Sequence, residues 1–161
     1  MAIPIGETAG WLGQSLWLRE VAGREAGPPP PVDLAAERRN GDWVRGRILA
    51  GAAVACHDVS DGGLLVAVAE MAMAGDVGAT LHPAPDGLPA HGWWFGEDQG
   101  RYVVATPDGA ALAAHAAAAG VPAHALGRSG GAALILPGDA PISLATLRDA
   151  HARFFPAWMN S

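Results

Sequence analysis

The sequence predicts an α+β fold, a mixed or antiparallel sheet with helices packed on it, and three observations carry that expectation. Residues 101–106 have the β-branched and aromatic character of a strand, and residues 64–73 form an apolar run of helix length. Strands and helices follow one another without the regular alternation of a doubly wound parallel sheet. Half of the 161 residues are hydrophobic and 16% are charged, enough apolar surface for one good core, so a single domain over 1–161 is expected.

Along the chain, Ile3-Pro4-Ile5 reads as the end of a first strand, closed by a turn at Gly6-Glu7-Thr8. Leu12, Leu16 and Trp17 are at helical spacing and predict a short helix over 12–21. Gly27 and the four prolines 28–31 force an extended segment, because each proline fixes its own φ and disfavours helix in the residue before it. Asp33 is a suitable cap for a helix over 34–50, with a break expected at Asn40-Gly41. A buried strand is expected at 52–56 and a buried helix at 64–73, capped by Ser60 or Asp61. Residues 79–81 read as a strand, and 82–92, with three prolines, as loop leading to Trp93-Trp94-Phe95. The strand at 101–106 is closed by Pro107-Asp108-Gly109 and followed by a helix over 110–119 that Gly120 ends. Two short strands at 123–126 and 132–136, joined by a turn at 127–131, suggest a hairpin. The last helix covers 143–158 and is disturbed by Pro156.

The net charge is -6 and the ten basic residues are scattered, which argues against nucleic-acid binding and disfavours an anionic membrane. One cysteine excludes an internal disulfide framework and fits a reducing compartment, so a cytoplasmic location is expected. No apolar run has membrane-spanning length.

Chemistry concentrates in Cys56-His57-Asp58-Val59-Ser60-Asp61-Gly62-Gly63-Leu64, a polar, glycine-bearing turn between an apolar strand and an apolar helix. The N–H groups of the helix start would attract a phosphate, and Gly62-Gly63 let a ligand approach the backbone closely. Asp58 and Asp61 would repel a bare phosphate, so a ribose phosphate or a magnesium nucleotide suits the turn better. A plain capped strand-to-helix turn accounts for the same residues. Glu97, Asp98, Gln99 and Arg101 form a second polar cluster, at a sheet edge where a ligand could sit; a solvated strand end, with Arg101 paired to Glu97 or a neighbouring carboxylate, is the competing reading. His57, Asp58 and Ser60 lie too close in sequence to relay a proton as a triad, and the histidines lack metal-ligand spacing. Cys56 reads as a buried, inert thiol, and Trp93, Trp94 and Phe95 as packing residues.

The string 57–64, followed by Ala69-Glu70-Met71, resembles the C-terminal domain of the aminoimidazole-ribonucleotide synthetase superfamily. Two further segments narrow the resemblance. They are Gly6-Glu7-Thr8 with Leu12-Gly13-Gln14-Ser15 and Leu18-Arg19-Glu20, and Gly96-Glu97-Asp98-Gln99-Gly100-Arg101-Tyr102-Val103-Val104. Together they look like the final domain of the phosphoribosylformylglycinamidine synthases, with the motifs in the expected order over essentially the whole chain. The resemblance implies a ligase of de novo purine biosynthesis that uses ATP, magnesium and glutamine-derived ammonia to amidate formylglycinamide ribonucleotide. It also implies that the N-terminal synthetase domains are missing here, together with a glutaminase subunit and a small accessory subunit, and that the isolated domain is inactive. Carried over by motif, Asp58, Ser60, Asp61, Gly62, Gly63, Glu97, Gln99 and Arg101 are the expected nucleotide- or phosphate-facing residues. No catalytic residue and no metal ligand is assigned to this chain. A non-catalytic scaffold or interaction module, and the matching domain of another ATP-using member of the superfamily, are the alternatives, and a homodimer of the isolated domain stays open.

Overall fold

The computed structural model describes residues 1–160. Seven short strands form one sheet in the order β2-β4-β1-β5-β3-β6-β7: β1 (Ala2–Ile5), β2 (Ala55–Asp58), β3 (Ala79–Leu81), β4 (Tyr102–Ala105), β5 (Gly127–Ser129), β6 (Ala133–Ile135) and β7 (Ile142–Ser143). Pairing is antiparallel except between β3 and β6, so the sheet is mixed and the fold is α+β. The helices are α1 (Leu16–Glu20), α2 (Leu34–Leu49), α3 (Gly63–Gly75), α4 (Ala90–Phe95), α5 (Gly109–Ala118) and α6 (Leu144–Met159).

Strand alternation divides the core between the two faces of the sheet. In β4, Val104 joins Ile3, Ile5, Val44, Leu112 and Ala116 on the α2/α5 side. Its neighbour Val103 joins Leu64, Val68, Trp93, Trp94 and Leu126 on the α3/α4 side. Burying both faces of β4 leaves its two ends as the only places where polar residues can gather, and one of those ends carries the candidate site.

Several sequence expectations are corrected. Helix α2 does not break at Asn40-Gly41: the Asn40 Nδ2 donates to the Gly100 carbonyl at 2.9 Å, and Gly41 lies under the Tyr102 hydroxyl, where an added Cβ would approach to 3.1 Å. Tertiary packing here outweighs local propensity. Helix α1 starts at Leu16, later than expected, because Gln14 takes a left-handed φ of 61° and Ser15 caps the helix through the Leu18 amide. Strand β2 starts at Ala55, and among the described residues its only strand partner is β4, so it is an edge strand and not a buried one; Cys56 is only half-buried. Residues 90–95, expected as loop and approach, form α4, which lays Trp93 and Trp94 into the core. No hairpin joins the two late strands: β5 and β6 lie on opposite sides of β3. The polypeptide before β5 runs beside β1 instead, through Leu126 N–H to Ala2 O and His124 N–H to Pro4 O. Asp108 caps α5 and Ser143 caps α6, and Pro156 lies inside α6. No helix among the described residues is long and apolar enough to cross a membrane.

Candidate functional site

Antiparallel pairing of β2 with β4 puts Asp58 opposite Tyr102, so the turn after β2 meets the segment before β4. The Val59 N–H donates to the Arg101 carbonyl at 2.9 Å and ties the two together. Against this junction, the Pro29-Pro30 segment and Glu37 of α2 close a cleft of about 490 Å³. Six of the eight predicted residues line it: Asp58, Ser60, Asp61, Glu97, Gln99 and Arg101. Sequence reading quoted Gln14 and Tyr102 in its motifs without assigning them to the site, and missed Glu37, which comes from α2 and carries no local signal.

Gly62 and Gly63 lie outside the lining and serve the fold. Neither Ser60 nor Asp61 caps α3; Gly62 does, in a left-handed conformation (φ 80°) with no side-chain cap. Gly63 also has positive φ, 75°, and packs so closely on α4 that an added Cβ would lie 2.6 Å from the Phe95 carbonyl carbon.

The anion on this turn is the protein's own. Glu97 Oε1 accepts 2.8 Å hydrogen bonds from the Gly62 amide and from the Leu16 amide, so one carboxylate oxygen serves the starts of α3 and α1 together. Asp98 does the same for the loop before α1, accepting from the amides of Ala9 (3.2 Å), Gly10 (3.0 Å) and Trp11 (3.3 Å). Of the two carboxylates expected as partners, Arg101 takes the neighbouring one, Asp98, Nη1 to Oδ2 at 3.3 Å; the same Nη1 donates to the Gly96 carbonyl at 2.9 Å.

Arg101 has further capacity. Its side chain is 1% exposed, yet its Nε and Nη2 have no hydrogen-bond partner. Burial lowers the proton affinity of this guanidinium and Asp98 partly restores it; it stays charged at any physiological pH. Around it, Glu37, Asp58, Asp61 and Glu97 make the cleft acidic. Burial, together with the charges of Glu37, Cys56 and Asp58, pushes the Tyr102 phenol up. The guanidinium points away from the cleft, to Asp98 and the Gly96 carbonyl, and the rim's carboxylate and hydroxyl oxygens suit a hard cation carried in by an anionic ligand. No three histidine, cysteine, aspartate or glutamate side chains among the described residues are grouped to hold an ion by themselves.

His57 belongs to the other side of β2. Its Nε2 lies 3.3 Å from Glu70 Oε2 and its ring lines a separate groove, so it forms no triad with Ser60.

The chain thus has a mixed sheet covered on both faces, with an acidic cleft at its β2–β4 end. The family described as "AIR synthase related protein, C-terminal domain" matches residues 3–134, and the chain belongs to that family. It is similar, at 63% identity over 154 residues, to the phosphoribosylformylglycinamidine synthase subunit PurL of Acidiphilium cryptum (strain JF-5), a match covering 96% of this chain and 21% of the relative. With the PurL subunit of Gluconobacter oxydans (strain 621H) the identity is 61% over 156 residues, covering 97% and 21%. The chain thus spans about a fifth of the length of these relatives. Among solved structures, Thermotoga maritima PurL complexed with FGAR shares the fold at a TM-score of 0.69 and 20% identity, over 91% of this chain and 27% of that one. The complex of the same protein with ATP gives 0.65 at 18% identity, over 91% and 25%. PurLQS from T. maritima gives 0.64 at 19%, again over 91% and 25%.

Proposed function

We propose that this chain works as the C-terminal domain of a phosphoribosylformylglycinamidine synthase, within a longer cytoplasmic polypeptide that amidates formylglycinamide ribonucleotide in purine biosynthesis. The observation that carries this reading is the 63% identity to a PurL subunit over 96% of the chain. In the reaction, phosphoryl transfer from ATP activates the amide oxygen of the ribonucleotide. Ammonia from glutamine then adds to the activated carbon and phosphate leaves, giving the amidine, ADP and phosphate. Magnesium, when bound with the nucleotide, neutralises phosphate charge. A glutaminase subunit would supply the ammonia and a small accessory subunit would complete the assembly, a reading supported by the likeness in fold to PurLQS of T. maritima.

Within that polypeptide, the acidic cleft faces a magnesium-bound phosphate or nucleotide. Asp58 and Asp61 would hold the cation, and the Ser60 hydroxyl and Gln99 amide would donate to phosphate or ribose oxygens. Arg101 holds the wall of the cleft, its guanidinium tied to Asp98 and to the Gly96 carbonyl. Glu97 acts one step removed, by fixing the start of α3 beneath the turn.

A second reading, a scaffold without a ligand, is favoured by one observation: Glu97 and Asp98 are spent on backbone amides. Calorimetric titration of this chain with ADP, ATP and the ribonucleotide, each with and without magnesium, separates the two. Magnesium-dependent nucleotide binding that Asp58→Asn and Ser60→Ala weaken is expected. A folded chain that takes up none of these ligands leaves the scaffold reading. ATP-dependent amidine formation by this chain alone would overturn its dependence on further domains.

A further inference from the structure

Helix α6 has two unlike halves. Leu144 is buried and Leu147 packs on the α3-side core, but every residue from 148 to 160 is exposed. The stripe that begins with Leu144 and Leu147 continues at helical spacing through His151 to Phe154, Phe155 and Met159. Phe154, Phe155 and Met159 are 63%, 65% and 76% exposed. Beside the stripe runs a groove of about 850 Å³, whose far walls are the edge strand β2 at Cys56 and His57 and the helix α3 at Met71 and Met73. The edge of β2 that faces away from β4 has no strand partner among the described residues.

A projecting half-helix of this length is marginal in water by itself, and Pro156 weakens it further. Large side chains held on such a helix call for a covering surface. The family match stops at residue 134, whereas the match to the Gluconobacter PurL covers 97% of the chain and so runs into the second half of α6 wherever its few unmatched residues lie. Helix α6 is therefore shared with the long synthetases and lies beyond the family's common domain. Those relatives hold roughly four-fifths of their length outside the matched region, and a surface tethered in the same polypeptide meets the helix at a high effective concentration.

We propose that the α6 stripe and the adjoining groove receive an apolar segment from the remainder of the synthetase polypeptide, not a second copy of this chain. The proposal rests on the chain being one domain of that longer protein. To test it, this chain replaces the matching residues of the A. cryptum PurL, and hydrogen exchange of the amides of residues 150–155 and 157–159 is compared between the chimera and this chain alone. Near-unprotected exchange is expected in the lone chain at every concentration, with slowing of at least ~100-fold in the chimera. Phe154→Ser with Phe155→Ser should abolish the slowing while β1 and β4 amides stay protected. Equal exchange in both proteins overturns the proposal, as does protection of the lone chain that grows with its concentration, which would mark a second copy. Turnover of the chimera is read separately: an unprotected α6 in an active chimera refutes this docking alone, and a protected α6 in an inactive one refutes the functional reading alone.

Discussion

Replacing Glu97 separates a fold-holding carboxylate from a ligand-facing one. Glu97→Ala removes two 2.8 Å hydrogen bonds from a charged acceptor, to the Leu16 and Gly62 amides. Bonds to charged groups contribute about 1.5–3 kcal/mol each, and the partial exposure of Glu97 argues for the lower end, so the loss should be about 3 kcal/mol. Glu97→Gln keeps an acceptor oxygen and loses mainly the attraction of the charge to two helix starts, a cost of about 1 kcal/mol. With a urea dependence of about 2 kcal/mol per molar, the alanine variant should unfold at a midpoint about 1.5 M lower and the glutamine variant about 0.5 M lower. Urea unfolding followed by circular dichroism measures both, and faster exchange of the Leu16 and Gly62 amides should accompany the alanine shift. An alanine variant of unchanged midpoint that has lost nucleotide binding would refute the reasoning, because Glu97 would then face the ligand.

Two further predictions use the same chain. Gly63→Ala sets a Cβ 2.6 Å from the Phe95 carbonyl carbon at a φ of 75°, whereas Gly51→Ala meets open space at a φ of 69°. The left-handed conformation alone costs about 1 kcal/mol and the clash adds at least ~2, so melting points should fall by about 3 °C for Gly51→Ala and about 10 °C for Gly63→Ala; equal shifts would show that α4 yields to the added methyl. Burial pushes up both the Cys56 thiol and the Tyr102 phenol, so the folded state favours their neutral forms. The stability this contributes is complete below their ordinary titration ranges and is lost as pH climbs through the raised ones. Urea unfolding from neutral to alkaline pH should show that decline and Cys56→Ser should remove the thiol's share of it, while a flat wild-type profile would contradict the partial burial of both groups.

The local alphabet of this fold was readable wherever near neighbours decide the outcome. Asp33 and Ser143 start their helices as caps, and Val103-Val104 form a strand with one side chain on each face. Reading failed where a distant partner decides. The Asn40-Gly41 pair looks like a breaker until Gly100 and Tyr102 arrive against it. Ala90-His91-Gly92-Trp93-Trp94-Phe95 has poor helix propensity and becomes a helix because the core takes both tryptophans. The site shows the same division. The turn at 58–63 and the 97–101 cluster announced themselves as polar islands, but nothing local says that Glu97 reaches residues 16 and 62, or that Arg101 chooses Asp98. Such pairings are properties of the folded sheet and exist only after β2, β4 and β1 have met.

The position of β1 inside the sheet sets a timetable for the ribosome. Ile3 and Ile5 are made about a hundred residues before their antiparallel partners in β4, Val104 and Tyr102. At a synthesis rate of roughly 5–20 residues per second, these isoleucines wait on the order of 5–20 s for a partner. During that wait the segment is an unpaired apolar strand, so this domain should lean on a holding chaperone while it is being made, and slowing translation between residues 6 and 102 should increase its aggregation.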